Sequence, residues 1–116
     1  MRQLTVHRER ALACFAMKYH CILNRDRGEF LTGLAGRDRQ ELLGWESEHM
    51  LRNGETISIP VGEEAGSFFA AVCLEGKDLA TEAAAYPAGC EDLRYVIRTD
   101  YDGYRRLRLT LAPAEQ

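Results

Sequence analysis

Six side chains in this sequence are of the kinds that bind metal ions. They are Cys14, His20, Cys21, His49, Cys73 and Cys90. Structural zinc sites need clustered ligands, and pairs spaced Cys-x-x-Cys or His-x-x-x-His are typical of them. Neither spacing occurs here. We therefore expect free thiols, mostly buried, and no cofactor. The weak candidates for a metal site assembled from distant strands are Cys14, His20, Cys21 and His49.

Catalytic residues are not predicted. Ser67 follows a glycine, but Phe68 and Phe69 come next, so the sequence lacks the small-residue turn of a nucleophile elbow. Glu46 and Glu48 stand beside His49, yet adjacent residues on a strand point to opposite faces. We expect that cluster to be a solvated loop or helix face. The alternative is a small metal-dependent protein that uses His20, Cys21 and His49.

Four arginines near the C-terminus have the spacing of one strand face: Arg94, Arg98, Arg106 and Arg108. Guanidinium groups bind carboxylates and phosphates through paired hydrogen bonds. Our hypothesis is that this face binds an anionic group, which belongs to a protein partner or to a small anionic ligand.

A hairpin positions these arginines. Leu93 to Asp100 and Tyr104 to Leu111 alternate apolar and polar residues with the period of a strand. A three-residue loop ending at Gly103 suits a turn that needs one left-handed residue. This loop predicts that Ile97 pairs with Leu107, which places Arg98 directly opposite Arg106.

Several other stretches also read as strands. Gln3 to Glu9 and Glu55 to Val61 alternate clearly, and Ser67 to Leu74 is a continuous apolar run typical of a central strand. Pro60 indicates an edge position or a strand end. Ala11 to Asn24 fits a long strand with its odd positions buried. A helix is the alternative there, because its apolar residues also recur at spacings of three and four.

The remaining segments are less regular. Asn24 to Gly28 is a polar turn, and Phe30, Leu31 and Leu34 could form a short strand. Arg39 to Leu51 could be a helix that ends at Asn53-Gly54. The same Asn-Gly pair is also a strong hairpin signal, which would join a strand ending at Arg52 to the next one. Leu79 to Tyr86 remains ambiguous, and the tail after Leu111 is expected to fray.

Together these patterns predict an all-β fold. We expect an antiparallel β-sandwich, jelly-roll-like, of seven or eight short strands, with at most one short helix within residues 37–52. Residues 1–116 are expected to form a single domain.

Part of this sequence layout resembles that of a group of small protein domains. Arg8 and Arg10 open onto an apolar segment that ends Tyr19-His20-Cys21-Ile22-Leu23, and Leu51-Arg52-Asn53-Gly54-Glu55 follows later. In these features roughly the first 75 residues resemble small, uncharacterised, β-rich bacterial domains with a basic-apolar first strand and an L-x-N-G-E turn. The resemblance implies a β-sandwich and carries over no catalytic residue. The long insertion from Asn24 to Met50 departs from the pattern.

Composition narrows the functional classes. Hydrophobic residues make up 46% and charged residues 28% of the 116 residues, which is typical of a folded globular domain and not of a disordered one. A net charge of −3 argues against a nucleic-acid or membrane-surface partner. The sequence has no apolar run of about 20 residues and no signal-peptide layout at its start, so we expect a cytoplasmic protein.

The expected function is a non-catalytic binding or protein-interaction module. Edge strands and the aromatic side chains of Trp45, Tyr101 and Tyr104 are the expected contact points, and an edge strand could also join two copies in a homodimer. A carbohydrate-binding protein that uses Trp45 is a further alternative.

Overall fold

Strands dominate the part of the chain that the structure describes. The computed structural model describes residues 2–14, 16–35, 49–74, 77–101 and 106–114. Within these ranges it contains one helix and nine strands. They are β1 (Arg2–Arg8), β2 (Tyr19–Leu23), α1 (Arg27–Ala35), β3 (Met50–Leu51), β4 (Thr56–Val61), β5 (Gly66–Leu74), β6 (Lys77–Ala80), β7 (Ala84–Tyr86), β8 (Leu93–Tyr101) and β9 (Leu107–Pro113).

The first sheet has the strand order β4-β1-β8-β9. β1 pairs antiparallel with β4, and β8 pairs antiparallel with β9, but β1 and β8 are parallel. The prediction of a purely antiparallel fold was therefore wrong at this pair. A tight hairpin forces neighbouring strands to be antiparallel, whereas β1 and β8 are connected through the whole second sheet and are free of that constraint. Pro60 lies on β4, at an edge of the sheet, as the sequence predicted.

The second sheet has the order β3-β2-β5-β6, with β7 also paired to β5. β5 is buried on both faces, which confirms the prediction of a central strand. β6 and β7 lie end to end along one side of β5. Between them the buried Thr81 bridges the interruption. Its backbone N–H donates to the carbonyl of Ala70 at 2.8 Å, and its hydroxyl oxygen accepts from the Ala70 N–H at 3.0 Å.

The inner faces of the two sheets share one apolar core. Phe68 of the second sheet meets Tyr95 of the first edge to face, with ring centroids 4.9 Å apart. The other buried members of this cluster are Leu4, Val6, Tyr19, Cys21, Leu51, Ile59, Val61, Ala70, Val72, Tyr86, Ile97 and Leu109. The alternation of apolar residues in β1, β4, β8 and β9 therefore faces this core, as predicted.

Helix α1 covers the other face of the second sheet. The Phe30 ring packs edge to face on Phe69 at 5.5 Å, beside Ile22 and Ala71. Asp26 begins the helix, because its carboxylate Oδ1 accepts from the Glu29 N–H at 2.8 Å. The prediction of a short strand at Phe30 and Leu31 was therefore wrong. An N-cap three residues before a glutamate is a helix-start signal, and it outweighed the short apolar run.

The predicted long strand from Ala11 to Asn24 is correct only in its second half. β2 begins at Tyr19, and the described residues before it form turns. Cys14 has a positive φ of 58°, which no regular strand or right-handed helix allows. The cause lies in β1: the Arg8 guanidinium binds the carbonyls of Cys14 and Met17, and these bonds hold the segment in a loop.

The register of β8 and β9 differs from the prediction. Ile97 pairs with Leu111 and Arg98 with Thr110, so Arg98 does not lie opposite Arg106. The shift is by an even number of residues, so every side chain keeps its predicted face. The observed register separates the two arginines and brings Pro113, which was expected to fray, into the ladder. The Gly103 turn itself lies outside the described residues.

The Asn53-Gly54 turn connects the two sheets and does not make a hairpin. β3 belongs to the second sheet and β4 to the first. The Asn53 side chain accepts from the Ala11 N–H at 3.0 Å and donates to the Ala11 carbonyl at 3.1 Å. These two bonds anchor the turn to the loop after β1. Most of the helix predicted within residues 37–52 lies outside the described residues, and its end, Met50–Leu51, is strand β3.

Candidate binding surface

Among the residues that the structure describes, the outer face of the first sheet is open, whereas that of the second is covered by α1. Throughout the described ranges, no helix packs on the outer side of β4, β1, β8 or β9. An open sheet face of this kind is accessible to a partner. It is also the face on which the sequence predicted the four arginines.

Four exposed arginines occupy one side of this open face. Arg94 and Arg98 belong to β8, Arg108 belongs to β9, and Arg106 immediately precedes β9. We call this group the arginine face. The prediction that these side chains are exposed on the side opposite the leucines is confirmed, since Tyr95, Ile97 and Leu109 of the same strands are buried.

Two carboxylates accompany the arginine face. The Glu9 carboxylate accepts from Arg98 Nε at 2.9 Å, and both side chains are more than half exposed. Asp100 lies directly across the ladder from Arg108. The parallel pairing of β1 with β8 places Arg8 beside Ile97 and thereby brings Glu9 to Arg98. Exposed pairs of this kind are weak and exchange readily for other anions.

β1 and β4 carry further polar side chains on this face. Thr5 and Ser58 share a hydrogen bond between their hydroxyls at 3.0 Å, and His7 Nδ1 bonds the Thr56 hydroxyl at 2.8 Å. These pairs link β1 to β4 across the outer side of the sheet. The face therefore presents hydroxyl and imidazole groups next to the arginines.

Two other arginines are buried at the two ends of β1. The sequence patterns did not lead us to predict them as core residues. Arg8 is 1% exposed, and its guanidinium donates to the carbonyls of Met17 at 2.6 Å, Cys14 at 2.8 Å and Leu51 at 3.0 Å. It lies 3.5 Å from the centroid of the Tyr19 ring. Arg8 therefore binds groups of this chain and is not available to an external ligand.

Arg2 has the matching role at the other end of the strand. It is 3% exposed and donates to the carbonyls of Gly62, Glu64 and Pro87 at 2.8–3.0 Å, with its guanidinium 5.4 Å from the Tyr86 ring centroid. Both arginines have the parity of the buried Leu4 and Val6. That parity is the signal in the sequence that could have identified them as core residues.

Burial also shifts the pKa values of three side chains in the core. Desolvation lowers the pKa of Arg8, while attraction to Tyr19 and Cys14 opposes the change. Desolvation raises the pKa of Tyr19, although its hydroxyl bonds Thr99 Oγ1 at 2.6 Å. The pKa of Tyr95 is also raised by burial. These groups support the fold, and none of them lies on the arginine face.

The four weak candidates for metal ligands lie in different parts of the fold. Cys14 is in the loop before β2 and is half-buried, Cys21 is inside the core, and His20 occupies the neighbouring position on the other face of β2. His49 directly precedes β3. Across the described ranges, no three His, Cys, Asp or Glu side chains are grouped so that they could hold a metal ion. Among the other cysteines, Cys90 is free and exposed, which differs from the expected burial.

Several side chains on which the alternative functions would depend fall outside the described residues. These are Glu46 and Glu48 of the acidic cluster, and the aromatic residues Trp45 and Tyr104. Tyr101 is described, and it is 55% exposed at the end of β8, next to the arginine face.

The only helix within the described ranges, α1, is too short to cross a membrane. No family model, curated protein or solved structure matches the chain.

Proposed function

We propose that this protein is a non-catalytic interaction module that binds an acidic segment of a partner protein on the arginine face. The observation that carries the proposal is the exposure of Arg94, Arg98 and Arg108 on one side of the β8–β9 pair, with exposed Arg106 directly before β9, in a protein whose net charge is −3. Guanidinium groups on adjacent strands can each bind a carboxylate through paired hydrogen bonds.

We infer in addition that the two sheets form a β-sandwich within one domain. The shared core between their inner faces supports this inference. A sandwich holds the arginines on rigid strands, so that little side-chain ordering beyond their own rotamers is needed on binding. The jelly-roll arrangement stays a prediction.

The geometry favours an acidic peptide segment over a single small anion. Arg94 and Arg98 lie four residues apart on the same face of β8, which corresponds to roughly 13 Å along the strand. Arg108 lies on the next strand, diagonal to Arg98. Residues four apart in an extended chain have the same spacing as Arg94 and Arg98. An extended acidic segment can therefore reach several arginines at once, while a small anion reaches one or two.

Direct binding of a labelled polyglutamate peptide of about fifteen residues tests the proposal. Fluorescence anisotropy should report binding that weakens as salt is added, because exposed charges are screened. Replacing Arg94 and Arg98 together by Ser should weaken binding by roughly five- to thirtyfold, since each exposed charge contact contributes about 0.5–1 kcal/mol.

The matched control is the Lys18→Ser and Arg52→Ser double variant. Both residues are exposed and lie outside β8 and β9, and the change in net charge is the same. This variant should keep the affinity of the unchanged protein within about twofold, as expected for loss of long-range charge alone. Equal losses in the two double variants, or no binding by the unchanged protein, would refute the proposed function. Inorganic phosphate that competes at low concentration would instead identify a small-anion site.

A further inference from the structure

β9 is the outer strand of the first sheet, and one hydrogen bond fixes which of its backbone groups point away from β8. The Ala114 N–H donates to the Arg94 carbonyl at 2.9 Å, so this directly opposed pair is hydrogen-bonded. Pairs in an antiparallel ladder alternate between bonded and non-bonded. The backbone groups of Arg108, Thr110 and Ala112 therefore point towards β8. Those of Leu107, Leu109 and Leu111 point away from the sheet.

Pro113 occupies the next outward position. It has no N–H to donate, so the row of outward donors ends there. Within the described ranges no strand pairs with this edge. It offers three consecutive outward positions, Leu107, Leu109 and Leu111, and then stops. Rows of this kind are the surfaces to which extended peptides add as an extra strand.

A groove runs beside this edge. It has a volume of about 330 Å³ and lies between β6 and β9. Leu79 and Ala80 line it from β6, and residues 107–111 line it from β9, with Glu82 at its rim. The groove is where the two sheets separate at one side of the core. A strand added to β9 would place its inward side chains in this groove.

We propose, on the basis of the proposed function, that the acidic partner segment binds as an extra strand along the outer edge of β9, and that it alternates acidic and apolar residues. Residues of the added strand opposite Arg108 point to the outer face, where a carboxylate meets the guanidinium. Residues opposite Leu109 point inward, where an apolar side chain fills the groove. Main-chain hydrogen bonds supply affinity, and the alternating side chains supply selectivity.

Charge favours this occupant over a second copy of the chain. Two β9 strands paired antiparallel about Leu109 would bring Arg108 of each copy to diagonal positions on the same face. Like charges that close together on neighbouring strands are destabilising. An acidic strand in the same place gains attraction instead.

Four peptide probes of about seven residues test the inference. The first alternates Glu with Val or Leu, the second has the same composition with its acidic residues grouped together, and the third is the alternating peptide with every second backbone amide N-methylated to block main-chain pairing. The alternating peptide should bind at least about fivefold more tightly than the grouped peptide, whose acidic side chains do not all reach the outer face. It should exceed by as much the methylated peptide whose blocked amides face β9, because main-chain hydrogen bonds contribute about 0.5–1.5 kcal/mol each. A second methylated peptide, shifted by one residue, covers the opposite register.

The outcomes separate the two proposals. If the alternating and grouped peptides bind equally and both methylated peptides bind as well, the strand-addition inference fails and the arginine-face function stands. If no acidic peptide binds, the proposed function fails with it. A protein that is dimeric in light scattering, and monomeric as the Leu111→Pro variant, would show that a second copy holds the β9 edge, which also overturns the inference. A folded, monomeric Leu111→Pro variant that loses only the alternating peptide supports it.

Discussion

The guanidinium carbon of Arg8 lies 3.5 Å from the centroid of the Tyr19 ring, inside the core and between the two sheets. Arg8 is on β1 of the first sheet, and Tyr19 is on β2 of the second. The same guanidinium donates to the loop carbonyls of Cys14 and Met17 and to the carbonyl of Leu51 on β3. One side chain thus connects both sheets with the loop between them, and the stacking places a delocalised cation on an aromatic face.

We expect Arg8→Met to destabilise the protein by about 2–4 kcal/mol, because three carbonyl acceptors lose a charged donor in a largely desolvated site. Arg8→Lys should recover only part of this loss, since an ammonium group cannot stack as a plane or donate in a fixed fork. Urea unfolding measures both variants. Arg10→Met is the matched control, because Arg10 lies two residues away and is exposed. A loss as large at Arg10 would contradict the role given to Arg8.

We expect the protein to lose stability in alkali, because the phenols of Tyr19 and Tyr95 are buried. Burial raises the pKa of both phenols in the folded protein, so the unfolded chain releases these protons first. The unfolded state then binds fewer protons than the folded state, and the free energy of unfolding falls as pH rises above the ordinary tyrosine pKa of about 10. Below that pH the two states are protonated alike, and neither group makes stability depend on pH.

The Tyr19→Phe and Tyr95→Phe double variant tests this sign. Its unfolding free energy should fall less between pH 9 and pH 11 than that of the unchanged protein, although it starts lower because the Tyr19–Thr99 hydrogen bond is gone. Exposed Tyr101→Phe is the control and should leave the slope unchanged. A slope that is identical in all three proteins would show that neither buried phenol titrates differently on unfolding.

The sequence was informative where a strand either alternates apolar and polar residues or is continuously apolar. β1, β4, β5 and β8 follow from alternation or from a continuous apolar run, and the exposure of Arg94, Arg98, Arg106 and Arg108 follows from the same alternation. The parallel contact of β1 with β8 joins distant segments, and no local pattern encodes it. For that reason the Glu9–Arg98 pair could not be predicted.

Local patterns failed where a side chain from outside the segment holds the backbone. The stretch from Ala11 to Lys18 alternates like a strand, yet its described residues form turns, and the Arg8 guanidinium binds the carbonyls of Cys14 and Met17 there. The predicted hairpin register was wrong for a different reason. Two registers that differ by an even number of residues bury the same side chains, and only the loop selects between them. Anion binding by the arginine face remains a prediction, since a charge pattern states where a ligand could bind and not whether one exists.

A pair of glycines tests the packing at the start of β5. A Cβ on Gly66 would lie 2.6 Å from Tyr86 Cζ and 2.7 Å from Asn24 Oδ1, whereas a Cβ on Gly62 meets nothing within 4 Å. Gly66→Ala should therefore destabilise the protein by about 1–3 kcal/mol through overpacking. Gly62→Ala should be neutral within about 0.5 kcal/mol. Thermal unfolding of both variants is the measurement, and equal melting temperatures would contradict the close approach of Tyr86.

Glu9 offers a test in which binding should become stronger. Its carboxylate neutralises Arg98, so Glu9→Gln should release that guanidinium for the polyglutamate probe and tighten binding by roughly two- to fivefold at low salt. Glu29→Gln is the control, since Glu29 is exposed on α1 behind the second sheet and changes the net charge equally. Anisotropy titrations compare the two. Equal gains would mean that total charge, and not the arginine face, governs binding.

The prolines at the two edges of the first sheet give a test of self-association through those edges. The Arg8 N–H donates to the Glu55 carbonyl at 2.9 Å, so that pair is hydrogen-bonded, and by alternation Pro60 faces outward on β4 as Pro113 does on β9. Both outer strands therefore lack a donor at an outward position. Replacing both prolines by Thr restores these donors and should raise the dimeric or larger fraction seen by light scattering at a fixed concentration.

The control for this change is the Ser58→Thr and Ala112→Thr double variant. It adds the same strand-favouring residue type to the same two strands and leaves the outward donors as they are. If self-association depends on outward N–H groups, only the proline variant should associate, because each restored donor contributes about 0.5–1.5 kcal/mol to edge pairing. Association of the control to the same extent would assign the effect to strand propensity, and monomeric behaviour of both would show that the edges are protected by something other than their prolines.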